Sequence, residues 1–334
     1  NYTSDTEIDE SKVHSIEIRF GTINTSDSVS GECTTPGISG ESGNCEVGDY
    51  MTHPAFLAFN TTGIWVGKFE TGYDGATSVS EAEKNTTEVD KVIVKPNVYS
   101  WRSIQLSNAF TVSYNYKREV ESHMMKNTEW GAVAYLSHSI YGINGEIRIN
   151  NQLNFLTGYA ATTENGSGST TNVAMWNTAV GYLASTTGNI TGVYDMSGGA
   201  NEYVMGVMKD ANGNLMSGKD SSYNSGFNGT LYLGGSITNG IDFPDSKYYD
   251  VYNNNTSYTN YSRRILGDAT GEMGSFRSRK SSWYNDNASF VDSSSPWFFR
   301  GGSYNYGSAA GAFYFYTNYG HAYSSISFRL VLGI

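Results

Sequence analysis

The chain has 334 residues, a net charge of −11 and 16% charged residues, with 38 glycines, 26 tyrosines and 5 prolines. That length is enough to bury a sizeable core, and a charge-poor, aromatic-rich composition excludes a disordered chain. Its longest apolar stretches, such as residues 130–136, fall far short of the roughly 20 residues a membrane-spanning helix needs. No secretory leader is read, so the chain is expected to begin inside a mature protein or to have lost an export or anchor segment ahead of Asn1.

Of the 32 acids and 21 bases, residues 1–90 hold 16 and 4, leaving 16 and 17 for the other 244 residues. The acidity is N-terminal, and no basic stripe is present to neutralise phosphates, which disfavours nucleic acid as a partner. Arg277, Arg279 and Lys280 read as a solvated loop.

In chain order, residues 13–20 alternate as one strand, and the Gly-rich stretch to about Tyr50 reads as loop. Within it, Cys33 and Cys45 are placed for a disulfide, which implies an oxidising, extracellular location; two free thiols are the other option. Residues 56–59 and 63–69 read as a strand pair joined by turn chemistry at 60–63, followed by a charged connection over 81–90. From Asn97 to His123 the pattern is long enough for a helix, with Trp101, Ile104, Leu106, Phe110 and Val112 as its apolar positions. A second helix is predicted with Asn127 as N-cap, Glu129 in the first turn and Trp130, Val133 and Ala134 at helical spacing.

Beyond Asn144 polar loops dominate until the end of the chain. There Phe313 and Phe315 share one side of a strand while Tyr314 and Tyr316 face away from it, and Phe328, Leu330 and Leu332 share one side of another.

Known catalytic patterns are missing. No nucleophile elbow, phosphate-binding loop or dinucleotide fingerprint occurs, and the five histidines lack metal-ligand spacing. The stretch Asp210-Ala-Asn-Gly-Asn214 begins like a calcium loop, but Leu215 and Ser221 stand where glycine and the last acidic ligand belong, so it reads as a polar turn. No cofactor is expected; structural calcium on scattered carbonyls stays open.

What stands out is a set of short segments in a fixed order. Asn127-Thr-Glu-Trp-Gly-Ala-Val-Ala-Tyr135 is followed by Gly188-Asn-Ile-Thr-Gly-Val-Tyr-Asp-Met-Ser-Gly-Gly-Ala-Asn-Glu-Tyr-Val204, then Trp297-Phe-Phe-Arg-Gly-Gly-Ser303, then Gly311-Ala-Phe-Tyr-Phe315 and Phe328-Arg-Leu330. From about Tyr50 to Ile334 this resembles the C-type-lectin-like fold of the formylglycine-generating-enzyme family. The oxidases of that family need a cysteine pair soon after Arg-Gly-Gly-Ser, and the related iron-dependent enzymes need a histidine-rich site. This chain has neither, since no cysteine follows Cys45.

A different branch resembles it more closely: the variable proteins of diversity-generating retroelements, including those of gut bacteria and their phages. In them the stretch from Arg-Gly-Gly-Ser to Phe-Arg is diversified at adenines of Asn codons. Of the 25 residues 303–327 here, 16 are Tyr, Ser, Gly or Asn and none is charged. Tyr306, Ala309, Tyr314, Tyr316, Thr317, Tyr319, His321, Tyr323, Ser324, Ser325 and Ile326 are all reachable from Asn and are the implied ligand-binding residues. They interleave with Gly307, Gly311, Phe313, Phe315, Gly320 and Phe328, which read as structural. Independently of any family, Tyr offers large contact area for few rotamers and Ser, Asn and Gly offer adaptable hydrogen bonds, the composition of antibody paratopes.

The resemblance implies an α+β, loop-rich, C-type-lectin-like domain over 51–334, with a variable region at about 300–330, behind an acidic β/irregular segment over 1–50. It implies a non-catalytic binder of a protein or glycan on another cell or host surface. Such a protein would sit on a bacterial surface or pilus, or on a phage virion. The alternatives are an enzyme built on Glu202, Asp195 or Asp268, and a structural pilin or virion-decoration protein, for which the tyrosine face would be buried against a neighbour.

Overall fold

The computed structural model describes residues 19–21, 31–32, 49–52, 54–56, 63–139, 141–253, 265, 267–270 and 283–333. Most of the first predicted strand, Cys33, Cys45 and the basic run at 277–280 lie outside these residues. The fold is α+β and rich in loops, with two α-helices and many short strands among the described residues.

The strands and helices run β1 (Arg19–Gly21), β2 (Gly31–Glu32), β3 (Asp49–Thr52), β4 (Ile64–Val66), β5 (Gly72–Tyr73), β6 (Val92–Ile93), α1 (Leu106–Tyr116), β7 (His123–Met124) and α2 (Asn127–Leu136). Then follow β8 (Tyr159–Ala161), β9 (Val173–Met175), β10 (Asn201–Met208), β11 (Met216–Gly218), β12 (Gly229–Leu231), β13 (Ser236–Ile237) and β14 (Asp250–Tyr252). The last four are β15 (Trp297–Gly301), β16 (Gly311–Asn318), β17 (Ile326–Phe328) and β18 (Leu330–Gly333).

The organising element is a five-stranded sheet in the order β14-β10-β15-β16, with β17 also parallel to β10. Every residue of β10 and β15 is buried, because both faces of this sheet are covered. On one side Phe298, Phe313 and Phe315 pack with Trp130, Val133 and Ala134 of α2. On the other Phe299, Tyr314 and Phe328 pack with Leu106, Ala109 and Phe110 of α1. Each fully buried large side chain contributes about 1.5–3 kcal/mol, so the double cover is what holds this sheet.

Several expectations are corrected. Residues 97–104 are not helical: Ser103 has φ 55°, and the N–H groups of Ser100, Trp101 and Arg102 donate to Phe155, Thr71 and Ala82 carbonyls at 2.8–2.9 Å. With those donors satisfied across the chain, α1 starts only at Leu106. Lys126 rather than Asn127 caps α2, its N–H donating to the Glu129 carboxylate at 2.8 Å. Asn127 is then free to donate to the Tyr252 hydroxyl at 2.6 Å and accept from Arg300 at 3.1 Å. Helix α2 passes so close to the backbone at 267–268 that a Cβ on Gly131 would lie 2.1 Å from the Gly267 carbonyl oxygen.

Phe56 ends a 3-10 turn, Pro54–Phe56, and β4 pairs with β18 (Leu332 opposite Trp65); the rest of the predicted partner strand and its turn, 57–62, lie outside the described residues. The C-terminal stretch breaks at Arg329, which turns its guanidinium inward. Leu332 is half-exposed, and Val331 takes the buried place beside α2.

Candidate functional site

The C-terminal segment leaves the sheet at two places, a turn at 304–310 and a loop at 319–325, on either side of β16. The residue types that read as structural are structural for stated reasons. Phe313, Phe315 and Phe328 are at most 1% exposed. A Cβ on Gly311 would lie 2.0 Å from the Asp286 carboxylate. Gly320 has φ 83°, and a Cβ there would meet Ser225 Cβ at 2.6 Å, so only glycine fits both the backbone and the space.

The backbone of the 319–325 loop is pinned from outside the segment. The Tyr203 hydroxyl shares its one proton between Asn318 Oδ1 at 2.7 Å and the His321 carbonyl at 2.8 Å. The Leu106 and Ser103 N–H groups donate to the Gly320 and Tyr323 carbonyls, the Arg102 guanidinium to the Ser324 carbonyl, and Asn201 to that of Ser325. None of these bonds uses a side chain of 319–325, so those side chains can be exchanged without releasing the loop.

Of the eleven predicted contact residues, the structure brings nine towards solvent. Tyr306, Tyr323 and Ser324 are exposed, and Ala309, Tyr316, Thr317, Tyr319, His321 and Ser325 are half-buried. Tyr314 and Ile326 are corrections: each is 1% exposed. Tyr314 does face away from Phe313 and Phe315, but the side it faces is the second core beneath α1, where it lies between Phe299, Tyr306 and Tyr316. Ile326 pairs opposite Asn201 and packs in the same core.

The exposed rings form a strip. His321 lies 5.5 Å from Tyr323 and 5.7 Å from Tyr319, centroid to centroid. Burial holds the His321 imidazole below its usual pKa and therefore neutral at pH 7, leaving the strip without charge of its own. Sequence reasoning missed Tyr223, which is 45% exposed and sits 5.2 Å from His321 and 5.6 Å from Tyr319. The Asp220 carboxylate accepts from the N–H groups of Ser222 and Tyr223, and this turn raises the ring beside the strip. Lys219 Nζ stands 5.8 and 5.9 Å from the Tyr223 and Tyr319 ring centres and adds one positive charge at the edge. The Asp-turn at 220 is a local signal; its proximity to residue 321 is not.

The acidic residues of the enzyme alternative are sealed in the interior. Glu202, opposite Arg300 in the sheet, makes a two-pronged ion pair with Arg329 at 2.5 and 2.9 Å, both residues wholly buried. Arg329 also donates to the Gly67 and Tyr194 carbonyls. Asp195 accepts from Asn150 and the Gly158 N–H at 2.9 Å, and Glu70 accepts from the Ala200 N–H at 3.2 Å.

Burial, reinforced by Asp195 and Glu202, pushes the Glu70 carboxyl well above its usual range. Burial outweighs the attraction of Arg329 and lifts Glu202 to about 7. Asp268 belongs to another network, accepting from the Tyr252 hydroxyl at 2.8 Å and the Thr270 N–H at 2.9 Å. The first set of bonds joins the start of β10 and Arg329 to the loops at 67–70, 150–158 and 194–195, the work of a buried polar network. None of Glu70, Asp195, Glu202 and Asp268 lines the 290 Å3 cavity beside the 304–310 turn.

Among the described residues no three His, Cys, Asp or Glu side chains are placed to hold a metal ion. Asp210 accepts from the Asn212 and Asn214 N–H groups at 2.9 Å, the geometry of a polar turn. No helix among the described residues is long and apolar enough to cross a membrane. Compared with protein-family models and with curated proteins, the chain matches none.

Proposed function

We propose that the chain is a non-catalytic ligand-binding protein, an adhesin or receptor-binding protein on a C-type-lectin-like scaffold of the diversity-generating-retroelement kind. Its C-terminal face grips a protein or glycan outside the cell, displayed on a bacterial surface, a pilus or a phage virion. One observation carries the reading: the 319–325 backbone is held by residues outside the segment, while its own side chains form a neutral aromatic strip open to solvent. Rigid rings with polar tips give contact area at small entropic cost, and an exposed aromatic patch is a surface built for contact.

The test replaces Tyr316, Tyr319 and Tyr323 together by Ala and screens variant and parent side by side against a glycan array and a panel of purified bacterial surface proteins. The parent should bind at least one target that the variant loses, with the variant keeping a cooperative thermal transition. Targets bound equally by both proteins, or a variant that no longer folds, refute the reading. The encoding DNA is a second check, and should carry near it a template copy of codons 300–330 differing at adenines, beside a reverse transcriptase.

A further inference from the structure

The backbones that carry Tyr223 and Tyr319 are fastened beside one residue. A Cβ built on Gly218 would lie 2.5 Å from the Tyr223 carbonyl oxygen and 3.1 Å from that of Tyr319, so both segments press on a position where a side chain would not fit. The Tyr223 N–H donates to the Asp220 carboxylate at 3.0 Å, and its carbonyl accepts from the Lys219 N–H at 2.9 Å. Tyr319 follows directly on β16, and its N–H donates to Asn318 Oδ1 at 2.7 Å. Two tyrosines far apart in the chain are thereby held at a fixed separation.

Their ring centres are 5.6 Å apart, with the planes tilted by 57°. Tyr223 is exposed and Tyr319 half-buried, so both rings are open to solvent and free to turn about their side-chain bonds. Other close tyrosine pairs lack that access. Tyr314, 5.9 Å from Tyr306 and 6.5 Å from Tyr316, is sealed in the core, and Tyr248, 5.5 Å from Tyr114, is buried as well. A ring enclosed at the packing density of a protein interior does not swing towards its neighbour. His321 stands beside both exposed phenols, its ring centre 5.2 Å from Tyr223 and 5.7 Å from Tyr319, and its imidazole is a neutral base.

That arrangement suits one reaction of tyrosine. A phenol that gives up an electron becomes a strong acid and sheds its proton to a nearby base. The radical left behind carries part of its unpaired electron on the ring carbons next to the one bearing oxygen. Two such radicals held in contact join within the molecule, whereas an isolated one must wait for a partner to diffuse to it.

We propose that Tyr223 and Tyr319 are an oxidative cross-linking site, joined by a Cε–Cε bond when a haem peroxidase with hydrogen peroxide takes one electron from each ring. Each phenol loses an electron and a proton. The two radicals then form the carbon–carbon bond, and the hydrogen on each joined carbon moves to the phenoxyl oxygen, which restores both phenols. The two electrons and two protons released reduce one hydrogen peroxide to two waters, leaving a dityrosine two hydrogens lighter than the separate residues. The bond staples the 319–325 loop to the turn at 220–223 and fixes the spacing of the aromatic strip. The site stands whether or not that strip binds a ligand.

The test treats the whole protein, dilute, with a haem peroxidase and hydrogen peroxide. Dityrosine fluorescence is followed in the monomer band of a denaturing gel, and tandem mass spectrometry of proteolytic fragments locates the bond. In the parent the main cross-link within the monomer should join Tyr223 to Tyr319, two hydrogens lighter than the sum of the two fragments. Tyr223→Phe and Tyr319→Phe, which keep the ring and remove the hydroxyl, should each cut the monomer's dityrosine at least about 5-fold, because the remaining tyrosine has lost its held partner. Tyr232→Phe, which removes a tyrosine as exposed as Tyr223, should leave the yield within about 2-fold of the parent. Should either partner variant fail to fold, the bond mapped in the parent decides by itself. No dityrosine in the monomer, a main cross-link between other residues or between molecules, a partner variant as productive as the parent, or a loss with Tyr232→Phe as large as with Tyr223→Phe overturns the site.

Discussion

Tyr314 and Tyr323 belong to the same tyrosine-rich segment and are equally reachable from an Asn codon, yet the fold gives them opposite roles. Tyr314 is 1% exposed and Tyr323 is 49% exposed. A fully buried Tyr removes roughly 150–200 Å2 from water, which at about 25 cal/mol per Å2 is about 4 kcal/mol. That agrees with the ~3–5 kcal/mol typical of large aromatic-to-Ala changes in cores. Tyr314→Ala should therefore lower the unfolding free energy by about 4 kcal/mol, its vacated space bounded by Phe299, Tyr306 and Tyr316. Tyr323→Ala gives up a half-exposed ring resting against His321 and should lower it by about 1 kcal/mol. Urea titration followed by tryptophan fluorescence measures both, and target binding by the two proteins gives the converse ranking. If Tyr314→Ala were no more destabilising than Tyr323→Ala, the second core beneath α1 would not be packed as described, and the separation of scaffold from contact residues would fail with it.

Glu202→Ala should cost about 3–5 kcal/mol in the same titration, because it leaves the Arg329 guanidinium buried without its carboxylate. A loss under about 1 kcal/mol would mean the pair is not sealed. Glu70 and Glu202 have pKa values raised above the ordinary 4.5, so the folded chain holds their protons more tightly than the unfolded one. Their contribution is full below pH 4.5 and is lost as pH rises above it, through about 7 for Glu202. Unfolding free energy should thus fall between about pH 4.5 and 7 through these groups, and Glu70→Gln, which keeps the shape without the charge, should flatten the fall; a rise in the parent that the variant shares contradicts the cluster. Gly131→Ala should destabilise by several kcal/mol, since its Cβ would press on the 267–268 backbone, and calorimetry showing an unchanged midpoint would remove that close approach.

Some of this was legible in residue order alone. The alternation of Phe313 and Phe315 marked a strand with one core side, and Glu129 near the start of an apolar-periodic run marked α2, because both signals depend only on neighbours a few positions apart. The Tyr, Ser, Gly and Asn bias of 303–327 is likewise read from composition, which needs no partner, and it is what the proposed contact segment rests on. Alternation says which side chains share a face, however, and not what covers the other one. Alternation alone turns Tyr314 towards solvent, since nothing local announces that α1, some two hundred residues earlier, lies on that side.

The same limit hid the irregular backbone at 97–104, whose N–H groups are satisfied by residues 71, 82 and 155, and the arrival of Tyr223 beside His321. Sequence by itself determined the alternation of Phe313 and Phe315, the first-turn acid of α2, the glycines and the chemistry on offer at the C-terminal end. Which tyrosines became core and which became surface, and where the buried acids found Arg329, was decided only when distant segments packed, because burial is a property of the whole enclosure rather than of any one strand.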